Sequence, residues 1–306
     1  MYKYREFGFN IESDIELPST PTANFEDEAD ISIIKGDFSE ELLRSLDKIK
    51  EEDGLLYSIE EGKIIALHKQ YGVFICSEGS KLEYYLIPGC SIERFLIFIN
   101  CYGLGYLMIQ RKEIAIHGSA ATWNGKGIIV TGVSGAGKSS ITEELLRRGC
   151  GFLSDDLVRI TNEDGINKIC PANPCRKLCR DTAEKYGYDV NLMTHVIDEE
   201  RDKYYINEDE NYVNDNTKAY VCINLLVGDV EKPEIEEIQG GEKVKLILNN
   251  LFRADVYHYY GNEPMLFLAI SKLASNIKMY KITRPAMGYT IAERADMILQ
   301  IVDETV

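Results

Sequence analysis

Up to about residue 89, apolar and polar positions alternate over short runs: "YKYREFGFNI", "DISIIKGDF", "LLYSIEEGKIIALH", "YGVFICSEG" and "KLEYYLIPG". Gly, Asp and Glu turns divide them. A period of two over five or six residues predicts half-buried strands. One run, "SEELLRSLDKIKEE" at 39–52, has helical spacing instead. Together these predict an α+β accessory domain over 1–90. The apolar stretch "FLIFINCYGLGYLMI" at 95–109 contains Asn100 and two glycines, too short and too interrupted to span a bilayer. It predicts a buried helix from about residue 91, opening a second domain over 91–306.

From there the pattern changes to alternating strands and helices. In "EIAIHGSAATWNGKGIIVTG" two β-rich runs flank Asn124-Gly125, the turn pair of a tight hairpin. The second run feeds the loop "GVSGAGKSS", the helical pattern "SSITEELLRRG" follows, and "GFLS" is expected to return as a strand beside the first. A loop with Pro171 and Pro174 comes next, then a polar stretch to about 216 and a hairpin from "AYVCINLLVGD" to "PEIEEIQG". Helices are expected at 241–258, 263–277 and 290–304, with the strand "KMYKITR" between the last two. The second domain therefore reads as α/β.

Composition narrows the partners. The 306 residues hold 34 Lys plus Arg against 50 Asp plus Glu, a net charge of −16, which repels nucleic acid and anionic lipid. Neither a nucleic-acid nor a membrane partner is expected, and homo-oligomerisation stays open. Eight scattered cysteines and an opening "MYKYREFGFN" without a charged-then-apolar signal suggest reduced thiols and a cytoplasmic location. The cluster "CPANPCRKLC" lacks a fourth ligand nearby and is a poor zinc site.

The chemistry concentrates after the hairpin. Gly132, Gly137, Lys138 and Ser139 fit the P-loop spacing of Gly, four residues, Gly, Lys, Ser. Gly132, Ser134, Gly135, Ala136, Gly137, Lys138, Ser139 and Ser140 would cradle ATP. Backbone N–H groups and the start of the next helix meet phosphate, Lys138 neutralises charge, and the Ser139 hydroxyl ligates Mg²⁺. A single helix of about 15 Å and a short return strand bring Asp155 and Asp156 back to the phosphate edge. There one carboxylate can hold Mg²⁺ while the other accepts a proton from an attacking hydroxyl. His117 closes the upstream run of the hairpin, across from the loop, a place that also suits an ordinary core histidine.

In this order, "IHGSAATWNGKGIIVTGVSGAGKSSITEELLRRGCGFLSDD" resembles the catalytic domain of the HPr kinase/phosphorylase family and its divergent relatives. The likeness is strong over about 116–156 and fainter through "CPANPCRKL", "RDKYYI" and "NNLFRADVY". It implies an α/β P-loop kinase core related to phosphoenolpyruvate carboxykinase, moving the ATP γ-phosphoryl group to a serine hydroxyl. It also implies Asp155 as catalytic base, Asp156 with Ser139 at the metal, and His117 beside the γ-phosphate. Arg176, Lys177, Arg201 and Lys203 are the cations expected to meet phosphate or substrate. Ser140 stands where the family usually has Glu, and the family's later glycine-rich stretch is not found between 165 and 216. This favours the divergent members that phosphorylate other proteins or peptides. The expected function is ATP- and Mg²⁺-dependent transfer to Ser or Thr of a protein or peptide. A kinase of a small hydroxylated metabolite is the alternative, and a nucleotide-binding regulator without transfer chemistry would leave Asp155 without a role.

Overall fold

The structure is a computed structural model that describes residues 1–37, 50–52, 55–60, 62–68, 71–90, 92–196, 202–208, 210–259 and 264–304. The chain divides into two compact units, Met1–Glu113 and Ile114–Val306.

In the first unit the alternating runs form one sheet. Its strands are β1 (Tyr2–Glu6), β2 (Phe9–Ser13), β3 (Ile31–Lys35), β4 (Lys50–Glu52), β5 (Leu55–Glu60), β6 (Lys63–His68), β7 (Gly72–Ser77) and β8 (Lys81–Leu86), in the order β1-β2-β3-β8-β7-β6-β5-β4. The helix expected over 39–52 lies outside the described residues at 38–49, and its last residues, Lys50–Glu52, are strand. The apolar stretch forms α1 (Ile92–Phe98), a π-helical turn (Ile99–Gly103) and α2 (Leu104–Gln110). It packs on this sheet. The Phe74 and Phe98 rings are 4.7 Å apart, those of Tyr84 and Phe95 5.9 Å, and a Cβ on Gly103 would lie 2.5 Å from Leu82 Cδ1. Its aromatic face thus belongs to the first unit, and the boundary falls at 113/114 instead of 90/91.

The second unit holds β9 (Ile114–His117), β10 (Ser119–Trp123), β11 (Lys126–Gly132), α3 (Lys138–Arg147), β12 (Gly151–Ser154), β13 (Leu157–Glu163), β14 (Ile166–Cys170), β15 (Cys175–Cys179) and α4 (Arg180–Lys185). These are followed by β16 (Thr194–Val196), β17 (Lys203–Asn207), β18 (Thr217–Gly228), β19 (Glu234–Glu237), α5 (Gly241–Asn249), α6 (Ala254–Tyr259), α7 (Pro264–Asn276), β20 (Lys278–Pro285) and α8 (Ile291–Asp303). The main sheet runs β12-β10-β11-β18-β14-β13-β9, with β20 joined to β18 and β19 to β20; β15, β17 and β16 form a small separate sheet. Ile128 and Val130 of β11, Ile223 of β18, Ile141 of α3 and Ile298 and Val302 of α8 share one fully buried core, so the helix after the loop is held on the sheet by apolar contact.

Two pairings differ from expectation. Strand β12 runs in the direction of β11, but β10 lies between them, antiparallel to both. The hairpin expected between β18 and β19 is not formed, because β20 inserts, parallel to β18 and antiparallel to β19. The helix expected at 241–258 is broken between α5 and α6, where Arg253 has φ 49°. Among the described residues no helix is long and apolar enough to cross a membrane.

Candidate functional site

Strand β11 ends at Gly132, whose φ is 141°; a Cβ there would lie 2.5 Å from Leu225 O on the neighbouring strand, so only glycine lets the chain leave the sheet at this angle. Gly137, at φ 102°, starts α3. Between them the loop bends back on itself, with Ala136 N donating to Val133 O at 3.1 Å and Lys138 Nζ to Gly132 O at 2.7 Å. Ser139 and Ser140 stand in the first turn of α3, and the Ser140 hydroxyl bonds to Thr182 Oγ1 of α4 at 3.1 Å. This ties the residue to a neighbouring helix. Two arginines that sequence reasoning missed hold the loop from behind: Arg284 at the end of β20 and Arg294 on α8. The available signal was an arginine ending "KITRP", but its meaning depends on β20 running parallel to β18, itself parallel to β11.

Asp155 and Asp156 follow β12. Asp156 takes φ 63°, which turns the chain directly into β13, and Leu157 N donates to Asp155 O at 2.8 Å. Lys177 of β15 grips both acids. Its backbone N–H donates to Asp155 Oδ2 at 2.9 Å, and its ammonium lies 2.7 Å from Asp156 Oδ2. The two carboxyls become unequal. Burial first, then repulsion from Asp156, pushes Asp155 up to about 6. Burial also works to raise Asp156, but the Lys177 ammonium and then His117 outweigh it and hold that carboxyl well below the usual range.

His117 lies opposite Leu157 in the β9–β13 pairing. The upstream run is not one strand: it breaks at Gly118, where a Cβ would sit 2.6 Å from Val130 O, and Gly118 N donates to Asp156 O at 3.3 Å. His117 therefore stands beside Asp156 and not across the hairpin from the loop. The side chain is exposed at the end of β9, with protein crowded around its inner side. Burial lowers its pKa most, Asp156 opposes that, and the charges of Lys138 and Lys177 lower it further. Those influences put the histidine within electrostatic reach of both the loop lysine and the acids.

The expected cations separate. Lys177 joins the acids, and Lys203, on β17 opposite Cys179, adds to the charge holding Asp156 low. Arg176 is enclosed in a buried network. It is 3% exposed and lies between Glu143 of α3 at 2.7 Å and Glu208 at 2.7 Å, with Tyr188 OH at 3.0 Å. Side-chain alternation along β15 sends it into this network, opposite to Lys177. Arg201 lies outside the described residues. Among the described residues no group of three or more His, Cys, Asp or Glu could hold a metal ion. The Ser139 hydroxyl and the two carboxylates are nevertheless donors of the kind that suit Mg²⁺, which takes one or two carboxylates and completes its shell with other oxygens.

A family model described as the HPr Serine kinase C-terminal domain matches residues 109–178. The segment is HPr-kinase-like. It contains β9 to β14 and all but the last residue of β15, and with them His117, the loop, both aspartates and Lys177. The chain is similar to the HPr kinase/phosphorylase of Aromatoleum aromaticum, 42% identical over 87 residues, which are 27% of this chain and 26% of that protein. It is similar also to that of Azoarcus sp., 44% identical over 94 residues, 29% of this chain and 28% of that protein. For the Bacillus subtilis protein the identity is 46% over 50 residues, 16% of each. The chain spans about a quarter of the length of the first two relatives. Among solved structures, the Hpr(Ser) kinase/phosphatase from Coxiella burnetii aligns over 62% of this chain and 96% of that chain, with a TM-score of 0.32 and 11% identity.

Proposed function

We propose that the protein is an ATP- and Mg²⁺-dependent phosphotransferase that moves the γ-phosphoryl group to a Ser or Thr hydroxyl of a protein or peptide. On this reading the second unit is a P-loop kinase core of the HPr-kinase-like type, and the first is accessory to it. The observation that carries the reading is the inequality of the two aspartates. A carboxyl at about 6 is close to the pKa at which a general base works best near neutral pH, and a strongly ionised neighbour suits a cation.

The residues then divide as follows. Asp155 accepts the proton of the attacking hydroxyl. Lys138, now bonded to Gly132 O, exchanges that carbonyl for phosphate oxygen. Bound Mg²⁺, held by the Ser139 hydroxyl and Asp156, would supply charge neutralisation for the phosphates. Lys177 keeps Asp155 oriented through its backbone N–H and places a positive charge where the transferring group spreads negative charge over its oxygens. His117, drawn toward the neutral form, orients by hydrogen bonding without adding positive charge.

The test is incubation with γ-labelled ATP, Mg²⁺ and candidate acceptors. Asp155→Asn is expected to abolish transfer while leaving ATP binding intact, and Lys138→Ala to weaken both. Retained transfer in Asp155→Asn would sink the base assignment. Label passing only to small hydroxylated compounds, and never to a protein or peptide, would replace the acceptor class.

A further inference from the structure

Arg284 and Arg294 approach the back of the phosphate loop from two elements. Arg284 Nε donates to Ala136 O at 3.4 Å and its Nη2 to Gly135 O at 3.2 Å. Arg294 is 2% exposed. It gives Nη1 to the same Ala136 O at 3.4 Å and Nε to Thr290 O at 3.3 Å, and its Nη1 would lie 3.5 Å from a Cβ on Gly137. The acceptors of both guanidinium groups are carbonyls. Among the described residues neither pairs with a carboxylate, whereas Arg147, Arg148, Arg176, Arg180 and Arg253 each do, Arg148 with Asp296 on the same helix as Arg294.

A guanidinium buried without a counter-charge is costly, by several kcal/mol after relaxation. Here burial and the like charge of Arg284 push Arg294 down to about 10, so it stays cationic at neutral pH. In a chain with 50 acids against 34 bases, this cation stands without an acid directly beneath a loop built to collect anions. Its bond also has a geometric effect. Drawing the Ala136 carbonyl backward turns the N–H of the same planar trans peptide, that of Gly137, to the opposite side.

We propose that Arg294, supported by Arg284, is a positioning residue for a nucleotide polyphosphate: its charge is balanced by phosphates bound on the other face of the loop, and its grip on Ala136 aims the Gly137 N–H at them. The proposal rests on the ATP reading. It makes a prediction of opposite sign from that of a structural prop, because removing an unpaired buried charge relieves the ligand-free protein while weakening its complex.

The experiment is thermal unfolding of the full chain with Mg²⁺ and ATP, ADP or AMP, for the wild type, Arg294→Met, Arg294→Lys and Arg284→Met. The wild-type midpoint should rise most with ATP and least with AMP. In Arg294→Met the ligand-free midpoint should equal or exceed the wild-type value while the ATP-induced rise shrinks, corresponding to about tenfold weaker ATP binding, and the Lys variant should recover part of it. Arg284→Met, at a half-buried position, should lose ATP affinity in the same direction with an unchanged ligand-free midpoint. A lowered ligand-free midpoint in Arg294→Met with a full ATP shift overturns the proposal. If Arg294→Met does not fold, a full ATP shift in Arg284→Met overturns it. A wild type without any ATP-dependent rise removes the nucleotide reading itself, and this proposal with it.

Discussion

Lys177 makes contact with Asp155 through its backbone and with Asp156 through its side chain, and this double hold sets how the site responds to pH. Because the proposed base is active only when ionised, the transfer rate should climb with pH through about 6, the value at which Asp155 titrates, in an initial-rate profile. Lys177→Met removes a cation that lowers both carboxyls, so the acidic limb of that profile should move to higher pH; an unmoved limb would separate the lysine from the titration. Stability should show the reverse dependence. Folding raises the Asp155 pKa, so its contribution is full below the unfolded value of about 4 and is lost as pH rises through the folded one. Asp155→Asn should therefore flatten the fall in urea midpoint between about pH 4 and about pH 6. The loop and the two acids were legible because their spacing is local. The part of Lys177 was legible only as a cation of uncertain use, since a strand more than twenty residues later must fold back before its charge meets theirs.

The same limit appears among the elements. Alternation identified β10, β11 and β12, but nothing in their patterns told which neighbours which, and β10 came to lie between the other two. The break at Gly118 was equally hidden: it exists because Val130 O leaves no room for a side chain, a fact of a neighbouring strand. Gly118→Ala should cost about 1–3 kcal/mol through overpacking, read as a lower urea midpoint. Arg176 joins elements in another way, tying β15 to α3 through Glu143 and to the segment after β17 through Glu208. Arg176→Met would leave Glu143, which is 1% exposed, to Arg147 and Tyr188 and would take the cation from Glu208, an expected loss below the about 3–5 kcal/mol of a wholly uncompensated buried charge. The last helices and β20 were readable from apolar spacing, while the insertion of β20 beside β18 was not, because parallel pairing joins segments that sequence order keeps apart.

For the whole molecule, the two compact units each have their own core, and the loop between β11 and α3 lies in the second. Calorimetry of the full chain should resolve two transitions, with Mg²⁺ and ATP raising the one that belongs to Ile114–Val306. A single transition shifted as a whole would show instead that the units melt together. The apolar stretch at 95–109 was correctly readable as a buried helix, yet which unit it would complete was decided by the aromatic rings of the first sheet. The crowding of the site into 117–177 has a further consequence. Most of the bonds that shape it, from Gly118 to Asp156, Lys138 to Gly132 and Lys177 to both acids, close loops of a few dozen residues, so they draw little on the rest of the chain. Such a stretch can be inherited as a block. Its surroundings can vary while the block is kept, in keeping with identities of 42–46% to the three relatives over no more than 94 residues.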